Sequence, residues 1–252
     1  MPDKFNIAMI QMNIVPGAVE HNLRTALALM KKSLAAKPQV IVLPEMWSTD
    51  LLKTKDPLLA NTTPQILNKL FVFAKNNSAY ILGTLPELIE NKLYNTMFII
   101  SPEGKVLDKY QKINLFKLTG EHTTYTAGNK KLILSTPLGK WGAAICFDIR
   151  FPNLIQELAT NGMDVLFVSA QWPWERKEHW ENLLRARAIE NQIFVVGVNR
   201  VGKSNGLEYS GRSLVFDPWG DLLAEGSSGE EILSCELDLS KIKEVREKLP
   251  LA

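Results

Sequence analysis

Three short apolar runs end on residues that can do chemistry. Glu45 follows VIVLP, Cys146 follows GAAI, and Gln171 with Trp172 follows VLFVSA. Ligands in open α/β sheets gather beyond the carboxyl ends of the strands, so a carboxylate and a thiol would stand at equivalent rims. A free thiol, with a pKa of about 8.5, is only a few per cent thiolate at neutral pH. Nucleophilic chemistry at Cys146 therefore needs a base. Histidine is the familiar one, and the chain has only His21, His122 and His179. His21 sits where a helix starts and suits a surface role. That leaves a Cys146–His122 or Cys146–His179 pair as the alternative to a carboxylate base. Cys235 falls in a terminal strand without charged motif neighbours and reads as a small core residue. Two cysteines and a few scattered histidines offer no ligand cluster for zinc, so no metal and no organic cofactor is expected.

The elements that must position these residues alternate in type. FNIAMIQMN (5–13) is a strand, and NLRTALALMKKSLAA (22–36) carries a helical apolar stripe. QVIVLP (39–44) is a continuous apolar strand of the buried, parallel kind. Thr63 and Pro64 read as the N-cap and first residue of the next helix. AYILGTL (79–85) is a strand, and NTMFII–SPEG–KVLDKY is a hairpin with a Pro/Gly turn. The second half repeats this order. KLILSTP and WGAAIC are strands, and a helix begins at Pro152 and ends at Gly162. Strand 164–170, helix 179–191 and strand 192–198 follow, then the hairpin GRSLVF–DPWG–DLLAEG and a closing strand EILSCEL (231–237). VIVLPEMW and VLFVSAQW place Trp47 and Trp172 at matching points. Two similar sheets, each with helices on one face, predict an α/β fold. The expected form is a four-layer α-β-β-α sandwich with internal pseudo-duplication. No linker or low-complexity segment interrupts it, so residues 1–252 read as one domain.

A chain of 252 residues buries enough surface to hold a core without disulfides or metal. Its 46% hydrophobic and 22% charged residues are ordinary for a globular protein. Lys and Arg total 29 against 27 for Asp and Glu, without the basic excess of a nucleic-acid or membrane-surface binder. No apolar run reaches the roughly 18–20 residues that span a bilayer, and MPDKFNIAMIQMN lacks the apolar core of a signal peptide. The expectation is a cytoplasmic protein with a small-molecule substrate and no nucleic-acid or membrane partner.

VLPEMW, KYQKINLF and ICFDIRFP, in that order, resemble the three signatures of the nitrilase, or carbon–nitrogen hydrolase, superfamily. The similarity extends over nearly the whole chain, through TGEHTTYTAGN, HWENLLRARAIENQIFVVGVNRVG and SLVFDPWGDLLAEG. It implies a triad of Glu45, Lys112 and Cys146. In that reading Cys146 attacks an amide carbon and forms an acyl-thioester. Glu45 takes the thiol proton, gives it to departing ammonia, and then activates the deacylating water. Lys112 and the backbone N–H of Phe147 face the oxygen that becomes negative. Glu121 matches a second glutamate that positions Lys112 and substrate. The branch resembled most is the short ω-amidases, which deamidate 2-oxoglutaramate and similar ω-amides of dicarboxylates. Deaminated-glutathione amidase, N-carbamoyl-amine hydrolase and nitrilase would use the same triad. A non-catalytic α/β binding protein is the reading from another class. The resemblance also implies a homodimer in which the helices after Cys146 and around 179–191 face their counterparts.

Trp172, Pro173 and Trp174 lie beyond a strand end, where aromatic residues form pocket walls. Arg176, a few residues on, can hold a substrate carboxylate bidentately; the other reading of WERKEH is a run of solvated charges. Asp148 and Arg150 flank the loop of Cys146 and are expected to pair and brace its turn, with Arg150 the alternative carboxylate anchor. Arg185, Arg187 and Glu190 share a helix and read as structural ion pairs, with Arg187 turned toward a subunit partner. Gly197–Ser204 satisfies G-x-x-x-x-G-K-[ST] letter for letter, but NGLEYSGRS follows it rather than a helix. Without a helix N-terminus the phosphate-binding reading fails.

Overall fold

The computed structural model describes residues 3–250. Its first half runs β1 (Lys4–Gln11), α1 (Val19–Ser33), β2 (Val40–Val42), α2 (Pro57–Ala60), α3 (Thr63–Asn77), β3 (Tyr80–Ile89), β4 (Lys92–Ile100) and β5 (Val106–Gln111). The short helix α4 (Glu121–Thr124) leads into β6 (Ile133–Thr136), β7 (Gly139–Ile145), α5 (Pro152–Thr160), β8 (Val165–Ala170), α6 (Lys177–Asn191) and β9 (Phe194–Asn199). A ribbon of β10 (Val201–Ser204) and β11 (Leu207–Ser210) precedes β12 (Leu214–Phe216), β13 (Leu222–Glu225), β14 (Glu231–Asp238) and α7 (Ser240–Lys248). Among the described residues, no helix is long and apolar enough to cross a membrane.

Two six-stranded sheets, among the described residues, have the orders β14-β1-β2-β3-β4-β5 and β13-β12-β9-β8-β7-β6. Their centres are parallel, β1-β2-β3 and β7-β8-β9. Those strands are apolar without interruption because both faces are covered. In β1, Ile7 and Met9 join Trp141, Phe167 and Val196 in the core between the sheets, while Ala8 and Ile10 meet the helices. This is the period-two alternation of a strand. α1 and α3 cover the first sheet through Leu23, Met30, Ile66 and Leu70. α5 and α6 cover the second through Leu154, Leu158, Trp180 and Leu184. The layers are α-β-β-α.

The duplication is permuted at one edge. β6 pairs antiparallel with β7, and β14 takes the same place beside β1. The closing strand thus leaves the half that precedes it and completes the first sheet. Edge pairing of this kind is non-local and leaves no mark in a local pattern. Thr63 is also not the helix cap: it lies inside α3, and its hydroxyl donates instead to the Pro86 carbonyl of β3 at 2.6 Å. β3 runs on through Pro86, because β2 pairs only with Tyr80–Leu82 and no ladder on that side needs the missing N–H. It then turns into β4 through Glu90 and Asn91, both left-handed, as a two-residue hairpin loop requires.

Gly197 in β9 is where α6 presses closest on the sheet. A Cβ there would stand 2.4 Å from Leu184 Cδ1 and 2.8 Å from Trp180 Cζ2. Gly197→Ala should therefore cost about 1–3 kcal/mol of stability by overpacking, read as a lower urea midpoint at unchanged slope. An unchanged midpoint would mean that α6 can retreat from β9.

Candidate active site

The two sheets bring their strand ends together. Ser169 Oγ donates to the Leu43 carbonyl at 2.7 Å, and Glu45 N–H reaches the Ala170 carbonyl at 3.4 Å. This stitch sets Glu45, just past β2, beside Gln171, just past β8. Lys112 follows β5 and stays tied to β4 through its N–H and the Asn95 carbonyl at 2.9 Å. Glu121 opens α4.

All three ionisable side chains are buried. Lys112 Nζ lies 2.9 Å from Glu45 Oε1 and 2.9 Å from each oxygen of Glu121. Asn95 Nδ2 donates to Glu45 Oε1 at 2.8 Å, and Gln171 N–H donates to Glu45 Oε2 at 2.9 Å. Phe116 N–H donates to Glu121 Oε2 at 2.7 Å. Burial pushes the Glu45 carboxyl above the usual carboxylate range, with Lys112 pulling it back and the Glu121 charge adding to the rise. Burial works against the Lys112 ammonium too, yet Glu121 and Glu45 outweigh it and hold its pKa well above the ordinary lysine value.

Cys146 follows β7 and opens a tight turn, Cys146–Arg150, with φ of 46°. Left-handed backbone is strained for a non-glycine residue, and the turn is correspondingly well fastened. Asp148 Oδ2 accepts from Ile145 N–H and the Tyr110 hydroxyl, and Oδ1 accepts twice from Asn114, all between 2.8 and 3.0 Å. The buried Arg187 donates twice to the Ile149 carbonyl and pairs with Glu190 at 2.7 Å. Burial, followed by the Glu45 charge, raises the Cys146 thiol well above its ordinary value, with Lys112 opposing. The thiol is thus protonated at rest and needs an adjacent base.

One small pocket of about 50 Å³ is lined by Glu45, Lys112, Cys146, Phe147, Trp172 and Arg176, together with Glu121 and Arg150. The carboxylates, lysine and cysteine implied by the resemblance border it, as do Phe147, Trp172 and Arg176. Three readings of their neighbours need correction. Arg150 does not pair with Asp148, whose oxygens are already taken; its guanidinium lies 4.9 Å from the Trp172 ring and 2.9 Å from His179 Nδ1. Arg185 donates to the Gly220 carbonyl rather than to an acid, while Arg187 is buried and braces the Cys146 turn. Trp174 lies outside the pocket wall under Lys177; Trp172 and Pro173 are in it.

Among the described residues, no histidine lines this pocket, and no group of three or more Cys, His, Asp or Glu side chains is placed to hold a metal. Two residues with contacts to Glu45 escaped the sequence reading. Asn95 is a buried polar residue in the apolar run of β4, which was its only signal. Gln171 was visible as a strand end but not as a partner of Glu45.

A thiol, a carboxylate and an ammonium in one pocket can carry out nucleophilic attack, proton transfer and oxyanion stabilisation. The family profile of carbon–nitrogen hydrolases matches residues 6–247. The chain is 38% identical over 250 residues to 2-oxoglutaramate amidase of Bacillus subtilis (strain 168), covering 98% of this chain and 96% of that one. It is 34% identical to omega-amidase NIT2 of Mus musculus, covering 98% and 93%. It superposes on Saccharomyces cerevisiae Nit3, a member of branch 10 of the nitrilase superfamily, with a TM-score of 0.87 at 29% identity over 99% of this chain and 95% of that chain.

The two cysteines should respond differently to iodoacetamide. Burial raises both thiols, but Cys146 lines the pocket beside Glu45 and Lys112, whereas Cys235, in β14, packs against the core between the sheets. Peptide mapping should find the adduct on Cys146 first; preferential labelling of Cys235 would contradict this geometry.

Proposed function

Because the chain belongs to the carbon–nitrogen hydrolase family, we propose that it is an amidase releasing ammonia from an ω-amide of a dicarboxylate, such as 2-oxoglutaramate, through a thioester on Cys146. The observation that carries this reading is the buried Lys112, held 2.9 Å from both Glu45 and Glu121 in the pocket that Cys146 opens into. Glu45 takes the Cys146 proton as sulfur bonds to the amide carbon, and the carbonyl oxygen becomes an oxyanion. Lys112 and the Phe147 N–H stabilise that oxygen. Phe147 is second in the turn, among the first N–H groups that have no partner within a helix. Glu45 then protonates the amine as the C–N bond breaks and ammonia leaves. It next deprotonates a water that attacks the thioester; the C–S bond breaks, the acid leaves, and Glu45 returns the proton to Cys146. Glu121 fixes Lys112 in place.

The far end of the substrate meets two guanidiniums. Arg176 lies 5.3 Å from the Phe116 ring and Arg150 stacks on Trp172. Among the described residues, the ion-paired arginines are others: Arg187, Arg200 and Arg212. Burial and the nearby Arg176 charge both lower the Arg150 pKa, a repulsion that a carboxylate between them would relieve. Both support a substrate with a free carboxylate, as do the printed activities of the relatives. We further read residues 1–252 as one domain working as a cytoplasmic homodimer; the exposed, apolar Ile189 of α6 and Trp219 support a covered face.

Steady-state rates on 2-oxoglutaramate, succinamate, deaminated glutathione, an N-carbamoyl amine and a simple nitrile should rank the dicarboxylate monoamides first. Cys146→Ala and Glu45→Gln should abolish turnover in folded protein; retention of a tenth of the rate, about 1.4 kcal/mol of barrier, would contradict their roles. Glu45 must be ionised to accept the proton, and its pKa is raised, so kcat/KM should fall with decreasing pH through a value above the roughly 4.3 of a free glutamate. An acid limb at or below that value points to another base. Arg176→Ala should cost about 2–3 kcal/mol in kcat/KM on a dicarboxylate monoamide and little on a neutral amide of equal length. Equal losses would make Arg176 structural, and faster turnover of neutral amides by the unmodified enzyme would overturn the substrate class.

A further inference from the structure

The segment whose letters imitate a phosphate loop carries a different device. Arg200, just past β9, is fully buried and pairs at 3.1 Å with the equally buried Asp50. Desolvating both charges offsets most of their attraction, so such a pair contributes little net stability. Its contacts are better placed to organise the site. Arg200 Nη1 donates to Gln171 Oε1 at 3.3 Å and Ser204 Oγ at 3.2 Å, Nε to the Val201 carbonyl, and Nη2 to the Ile14 carbonyl. The ring of Tyr209, a pocket-wall residue, lies 4.4 Å away.

Gln171 passes this order to the pocket. Its Nε2 donates to the Glu45 carbonyl at 2.9 Å and its N–H to Glu45 Oε2 at 2.9 Å, while its own carbonyl faces Cys146 Sγ at 3.7 Å. A guanidinium has donors only. It therefore draws Oε1 of the Gln171 amide toward itself and leaves the NH2 group for Glu45. Without that selection the amide could turn over, and its oxygen would face the oxygen of the Glu45 carbonyl. We propose that Arg200 is a positioning residue for amide hydrolysis: through the Gln171 amide it sets the Glu45 carboxyl against Cys146. The inference rests on Glu45 acting as the base. It matters because small misplacements of a reacting group carry large rate losses.

Arg200→Lys keeps the charge opposite Asp50 and loses the planar fork; Gln171→Leu removes the amide at similar size. The two form a double-mutant cycle, assayed on the fastest amide of the panel, with kcat divided by the number of sites titrated through Cys146. Each single variant should lower kcat about tenfold with KM changed less than about twofold, and the double variant should be no slower than the slower single one, since groups acting as a unit are non-additive. Losses that multiply, or a normal kcat per site in Arg200→Lys despite a lower melting temperature, would overturn the proposal. If Arg200→Lys does not fold, Arg200→Met with Asp50→Asn removes both charges and takes its place in the cycle. Glu45→Gln run in parallel separates the two levels. Turnover in that variant defeats the base assignment, whereas loss there with normal rates in the Arg200 variants defeats only the positioning role.

Discussion

Lys112 carries its charge to a position where 2% of the residue meets solvent, and it can do so because Glu45 and Glu121 each bring an oxygen within 2.9 Å. Any of the three charges alone in that place would cost several kcal/mol of lost hydration. Together, with Asn95 and Gln171 N–H donating to Glu45 and Phe116 N–H donating to Glu121, they are tolerated. The arrangement is close to all-or-none. Neutralising or moving one member leaves the others buried without compensation, which is why so many elements converge on it. The ends of β2, β5 and β8, the start of α4 and Asn95 of β4 all contribute to it.

That convergence depends on packing the two sheets face to face. The core between them is built mainly of apolar side chains, from Phe5 and Met9 to Trp141 and Phe167, and apolar burial by itself does not fix the register of one sheet on the other. At the rim the stitch from Ser169 to Leu43 and from Glu45 to Ala170 supplies that register. The hydrophobic effect brings the sheets together without direction. Hydrogen bonds at the strand ends then choose one alignment, and that alignment places the thiol of one sheet beside the carboxylate of the other.

The nucleophile turn shows the same division of labour. Its left-handed first residue stores strain, and the four hydrogen bonds to Asp148 with the two from Arg187 hold it. Because Asp148 is fully engaged, Arg150 is released toward the pocket, where aromatic rings rather than acids carry it and its neighbour Arg176. The inner pocket is therefore rich in negative charge around one lysine, and its outer wall is positive. A substrate with an amide at one end and a carboxylate at the other matches that polarity.

Much of this was legible in the amino-acid sequence. Apolar runs, turn residues and the order of strand and helix are written in contiguous residues, and so were both sheets, their helices, and the strand ends bearing Glu45 and Cys146. The family resemblance added Lys112, in KYQKINLF, and Glu121, in TGEHTTYTAGN. Tertiary structure alone decided the rest, for one physical reason: it concerns partners distant in the chain. β14 pairs with β1 rather than with its own half because an edge strand takes whichever open edge the fold presents. Asp148 turns to Tyr110 and Asn114 instead of Arg150, Arg187 turns inward to Ile149, and Arg200 finds Asp50 and Gln171. Long polar side chains have many possible partners in a sequence, and only the packed fold leaves each of them one.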